Sequence, residues 1–102
     1  MAVGSVSPFR PVGTAGVNAG STSASVLLAG AGETVVVTNA SGALAYVRFG
    51  ADPLVVATTS DMPILPNDRV MLSTNPMVTY AAAMLSGGSG LVLFTRGDGS
   101  FL

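Results

Sequence analysis

The side chains in this chain that could do chemistry are few. They are four arginines (Arg10, Arg48, Arg69, Arg96), four aspartates (Asp52, Asp61, Asp68, Asp98), Glu33, the tyrosines Tyr46 and Tyr80, and a scatter of serines and threonines. His, Cys and Lys are absent from all 102 residues. General acid–base catalysis falls most often to His, and a serine nucleophile needs a neighbouring base to activate it. With neither His nor Lys to take the proton, we expect no catalytic residues and no enzyme. The aspartates could offer oxygens to Ca²⁺, but no loop has the alternating acidic spacing of a dedicated site. No metal site and no cofactor is therefore expected. Gly87-Gly88-Ser89-Gly90 lacks the Lys and the following helix pattern of a phosphate loop and reads as a β-turn. Gly97-Asp98-Gly99 reads as a turn leaving the last strand. Asn39-Ala40-Ser41 matches a glycosylation sequon, but with Gly42 it makes a better hairpin loop.

The composition bounds the partners. Apolar residues make up 49% and charged residues only 9%, against roughly 25% charged in an average soluble domain. Such a surface invites protein contacts, because contiguous exposed apolar patches mark interfaces. The net charge is −1 and the arginines are scattered, so no nucleic-acid footprint is expected. No stretch offers the ~18 uninterrupted apolar residues of a membrane span, and residues 1–20 lack the basic region and apolar run of a signal peptide. A small-molecule ligand is not expected either. Sugar sites usually present an aromatic platform; this chain has no Trp, and both tyrosines fall inside predicted strands, where packing is the plainer use.

Fold class follows from the spacing of apolar runs. Val26–Leu28, Thr34–Thr38, Leu44–Phe49, Leu54–Thr58, Pro63–Leu65, Val70–Ser73, Met77–Leu85 and Leu91–Thr95 alternate with separators rich in Gly, Asn, Asp, Pro and Ser. Short runs of this kind at intervals of about 8–12 residues predict a β-sandwich or barrel, and eight strands fit a jelly roll. We thus expect an all-β, jelly-roll-like sandwich of about eight short antiparallel strands over residues 25–102, preceded by an extended N-terminal arm over residues 1–24. The segment 75–85 reads two ways. Asn75 could cap a helix with Pro76 in its first turn, while Val78, Thr79 and Tyr80 favour strand; the surrounding β pattern tips it to strand.

The arm, poor in large side chains, reads either as a flexible leader or as a strip lying on a neighbouring subunit with Phe9 and Val12 as pegs. On that second reading, deletion of residues 1–20 leaves the fold intact and weakens attachment. Within the sandwich, Ala43, Ala45, Val47 and Phe49 share one strand face, and Leu44, Tyr46 and Arg48 the other. Outward positions that are often Ala, Val, Met or Tyr imply outer faces covered by other chains. The expected assembly residues are Phe9, Arg10 and Val12 in the arm, with Tyr46, Arg48 and Phe49 at a strand face or edge. Arg48, Arg69 and Arg96 are expected to pair with Asp61, Asp68 or Glu33 across strands or subunits.

The run Val35-Val36-Val37-Thr38-Asn39, continued by Ala45-Tyr46-Val47-Arg48-Phe49-Gly50, then Ala57-Thr58-Thr59-Ser60-Asp61-Met62-Pro63-Ile64-Leu65-Pro66, Thr79-Tyr80-Ala81-Ala82 and Gly97-Asp98-Gly99, resembles small virion proteins of tailed bacteriophages over roughly residues 33–99. The resemblance implies a homotrimeric jelly-roll protein that decorates the phage head. Its partners would be further copies of itself and the major capsid protein, with the protein made in the bacterial host cytoplasm and ending on the capsid surface. A tail, neck or fibre-attachment subunit with a carbohydrate- or host-binding role is the alternative.

Overall fold

A computed structural model describes residues 9–28, 30, 32–74 and 77–99. They form eight strands: β1 (Arg10–Ala19), β2 (Ala24–Leu27), β3 (Thr34–Asn39), β4 (Ala45–Gly50), β5 (Met62–Ile64), β6 (Arg69–Ser73), β7 (Tyr80–Leu85) and β8 (Gly90–Asp98). Two four-stranded sheets result, in the orders β1-β8-β3-β6 and β2-β7-β4-β5. The pairings are nested. β1 lies against β8, β2 against β7, β3 against β6 and β4 against β5, all antiparallel. The chain is in effect one long hairpin with its tip between β4 and β5. Rolling that hairpin up adds the contacts β3–β8 and β4–β7 and yields the two Greek keys of a jelly roll.

The all-β jelly-roll expectation is met, with three corrections of detail. First, residues 10–24 are not an arm. Arg10–Ala19 pairs with β8 along its length, and Val17 and Ala19 enter the core; residues 1–8 lie outside the described residues. Alternation of small residues suffices for a strand here because β8 supplies the large ones, Leu91, Leu93 and Phe94, opposite Asn18, Gly16 and Ala15. Second, residues 54–58 join no ladder. Pro53 has no N–H to offer one, and Asp52 closes a turn by accepting the Leu54 N–H at 2.8 Å on its side chain and the Val55 N–H at 3.1 Å on its carbonyl. Third, Gly97 and Asp98 belong to β8 rather than to a turn after it. Gly97 sits so tightly against β1 that a Cβ there would fall 2.1 Å from the Arg10 carbonyl oxygen. The ambiguous segment resolves as strand over 80–85, an interior strand between β2 and β4; Asn75 and Pro76 lie outside the described residues.

The core is the space between the inner faces. Val35, Val37, Val92, Phe94 and Val17 come from one sheet, and Ala45, Val47, Ala81, Ala83, Leu85 and Ile64 from the other. Phe94 is fully buried and meets Phe49 edge to face at 6.1 Å, a geometry the ring quadrupoles favour. Burying a side chain of that size is worth about 1.5–3 kcal/mol.

Polar side chains close both ends of the roll. At one end the fully buried Asn39 amide donates to the carbonyls of Ala43 (2.8 Å), Ile64 (3.0 Å) and Leu65 (3.2 Å), and its oxygen accepts the Ser41 N–H and hydroxyl. The Asn39–Ser41 stretch is thus a corner carrying the chain from one sheet to the other, not the hairpin loop its sequence implies. At the other end the buried Arg96 donates to the carbonyls of Gly32 and Val78.

Two outcomes follow. Deleting residues 1–20 removes β1 and its core side chains, so the cooperative urea transition seen by circular dichroism should vanish; a preserved transition would restore the arm. Asn39→Ala should cost about 2–4 kcal/mol in the same assay, because buried carbonyls lose their donor. Asn39→Asp should cost at least as much, since a carboxylate cannot donate to them.

Candidate assembly surface

The two outer faces of the sandwich differ in kind. Over sheet β2-β7-β4-β5, the segment 51–61 runs as a strap. It leaves β4 at Gly50, crosses to β2, where the Ser25 hydroxyl donates to the Pro53 carbonyl at 2.9 Å and the Ala57 N–H donates to the Ser23 hydroxyl at 2.8 Å, and returns to enter β5. Val55 lies against Gly50, where a Cβ would approach it to 3.1 Å. Ala82 points outward, opposite Ser25 and Arg48, yet has no exposed surface. The strap overhead accounts for that, and for three consecutive fully buried alanines in β7: a strand closely covered on both faces has room for little more than methyl groups.

The strap's own outward side is apolar. Leu54 is 80% exposed and Val56 55%, with Leu27 of the neighbouring β2 at 59%. At its far end, Asp61 accepts the Thr58 N–H at 2.7 Å and Arg48 Nε–H at 2.9 Å. The Thr58 hydrogen bond lowers the Asp61 carboxyl below its ordinary value of 3.8, partial burial opposes this, and the Arg48 guanidinium reinforces it.

The outer face of sheet β1-β8-β3-β6 has no strap. Its outward rows read Thr14, Thr95, Val36, Met71 and Gly16, Leu93, Thr38, Arg69, with Asn18 beside Leu91. Threonine hydroxyls of Thr14 and Thr95 bond each other at 2.9 Å. Arg69, at the β6 edge, is the one charged side chain in these rows. Beside it, Thr38, Asn67, Asp68 and Arg69 line a shallow depression at the β5–β6 turn.

The six expected assembly residues do not gather in one place. Phe9, Arg10 and Val12 stand at the start of β1, with Val12 58% exposed. Tyr46 and Arg48 lie on the outer face of the strapped sheet, Tyr46 half-buried between Met84 and Pro63. Phe49 faces the other way, partly buried against the core, as the alternation read from the sequence places it. The exposed strap residues escaped sequence reasoning because Leu54–Thr58 has the composition of a strand; the Asp52-Pro53 pair was the available signal.

The scarce carboxylates have structural tasks. All four aspartates accept a backbone N–H: Asp52 from Leu54, Asp61 from Thr58, Asp68 from Arg69 and Asp98 from Glu33. Among the described residues no group of three or more His, Cys, Asp or Glu side chains could hold a metal ion, and no helix is long and apolar enough to cross a membrane. Compared with family models, curated proteins and solved structures, the chain matches none.

The Asp61 tie makes a signed forecast. Its unfolded carboxyl titrates near 3.8 and its folded one lower, so the stabilisation is complete above the unfolded value and is lost as pH falls through the folded one. Asp61→Asn should lower stability by no more than about 1 kcal/mol. In thermal melts the gap from wild type should be present at pH 6 and close toward pH 2. A gap independent of pH would remove the carboxylate from the account.

Proposed function

We propose that this chain is a structural virion protein of a tailed bacteriophage, a decoration or cement protein that binds the outside of the head as a homo-oligomer and stabilises the shell. The observation that carries the proposal is the outer surface itself: one sheet face with no strap over it among the described residues and only Arg69 charged in its rows, and an apolar strap bearing Leu54 and Val56 on the other side. A lone domain gains nothing from such a surface, and exposed apolar area of this kind marks protein contacts. The use of every aspartate to cap backbone N–H groups supports a role in which the scarce charges serve rigidity rather than reaction.

The partners on this reading are further copies of the chain, with a trimer the state implied by the resemblance, and the major capsid protein. The mechanism is mass action. A protein that binds only the mature lattice lowers the free energy of that state, and contacts that are weak singly add by avidity when one oligomer engages several shell subunits at once. The jelly roll suits the task because it presents one sheet face without a strap and, opposite, the apolar ridge of the strap.

The test is cosedimentation of the purified chain with emptied heads of the phage whose genome encodes it. Saturable binding to heads, with heads more resistant to heat afterwards, is the expected result. Recovery of the chain with isolated tails and not with heads would overturn the decoration role in favour of the tail or neck alternative.

A further inference from the structure

We propose that the free edge of β1 is a docking edge for β1 of a second copy of this chain, joined antiparallel across a two-fold axis. A sheet edge exposes unpaired backbone N–H and C=O groups, and what satisfies them along their length is another strand. Among the described residues the sandwich has four such edges, at β1 and β6 of one sheet and β2 and β5 of the other. Three carry devices that discourage pairing. β5 is three residues long and contains Pro63, β6 is five residues long and opens on the exposed Arg69, and β2 is four residues long with the strap fastened at Ser23 and Ser25. β1 differs in length, running for ten residues. It too opens on an exposed Arg10, a Pro11 and a bulge between Pro11 and Gly13, but these are confined to its start, and residues 13–19 carry no proline and no charge. Proteins ordinarily protect an edge of that length.

The two side-chain rows of β1 are complementary to themselves. Side chains alternate, so outward residues of one strand must face outward residues of the other. Centring the axis on Gly16 places Thr14 of one copy opposite Asn18 of the partner subunit, a pair of small hydrogen-bonding side chains. The inner row then sets Ala15 opposite Val17 of the partner subunit and continues both apolar cores. Arg10 falls beyond the paired region in both copies, so no like charges meet. Gly16 itself has the Leu93 and Leu91 side chains folded toward it, 3.0 and 3.4 Å from where its Cβ would be, which keeps the axis narrow. The product is one continuous eight-stranded sheet whose outer face joins the two uncharged faces. A two-fold contact requires an even number of chains: a dimer, or a hexamer if it joins two trimers.

The experiment is light scattering behind size exclusion on the whole chain at micromolar concentration, for wild type and two double variants. Wild type should have an even-numbered mass. Thr14→Lys with Asn18→Lys sets like charges opposite each other at two symmetric positions and should raise the dissociation constant about tenfold, halving the mass at low concentration. Thr14→Asp with Asn18→Lys replaces those with opposite charges and should restore the wild-type mass. Both variants lose the Thr14–Thr95 bond equally, and melting followed by circular dichroism shows whether each is folded, so their difference isolates the contact. An odd-numbered wild-type mass, an unchanged mass in the Lys pair, or no recovery in the Asp–Lys pair would each overturn the proposal. Head binding, measured separately, bears on the decoration role alone.

Discussion

Each end of this roll depends on a buried polar side chain that donates to backbone carbonyls. Nested strands of a jelly roll must leave one sheet and enter the other at every corner, and a corner exposes carbonyls that have no ladder to join. Asn39 satisfies three of them where β3 ends and β5 ends. Arg96 does the same at the opposite end, reaching from β8 to Gly32 before β3 and Val78 before β7. Unsatisfied buried carbonyls would each cost about 1–3 kcal/mol, a large share of the stability of a domain this small. The apolar core fills the middle of the sandwich, while these two side chains decide that its ends close at all.

Charge is rationed to the same purpose. The four aspartates, Arg48 and Arg96 bond to backbone groups or to each other within the chain. Much of what remains outside is threonine, leucine, valine and methionine, and the two outer faces use it differently. One face is closed off by the chain's own strap, which requires alanine beneath it. Over the other, no such segment lies among the described residues, and Val36 at its middle is buried by its own neighbours. On the proposed reading, the unstrapped face and the β1 edge would serve association between molecules, while the strap closes the other face from within.

The β class and most strand positions were legible because β-branched runs and turn residues alternate at the period a sandwich needs. The faces of residues 43–49 were legible for the same reason: a two-residue period fixes which side chains share a side. β1 was not, since Pro11-Val12-Gly13-Thr14-Ala15-Gly16 has almost no intrinsic strand preference and becomes a strand only because β8, some eighty residues later, pairs with it. Leu54–Thr58 failed in the opposite sense, with a strand's composition but an entry through Asp52 and Pro53 that turns it out of the sheet. Phe49 follows that same two-residue period and packs, partly buried, against the core, while Arg48 faces outward.

The nesting of the strands also sets an order of events during synthesis. The pairs β4–β5 and β3–β6 can form while the ribosome is still translating, but β1 has no partner until β8, the last strand, has emerged. β1 therefore waits while the six strands between it and β8 are made. Folds dominated by such distant pairings take milliseconds to seconds to complete. During that interval a nascent β1 is open to strands of other chains.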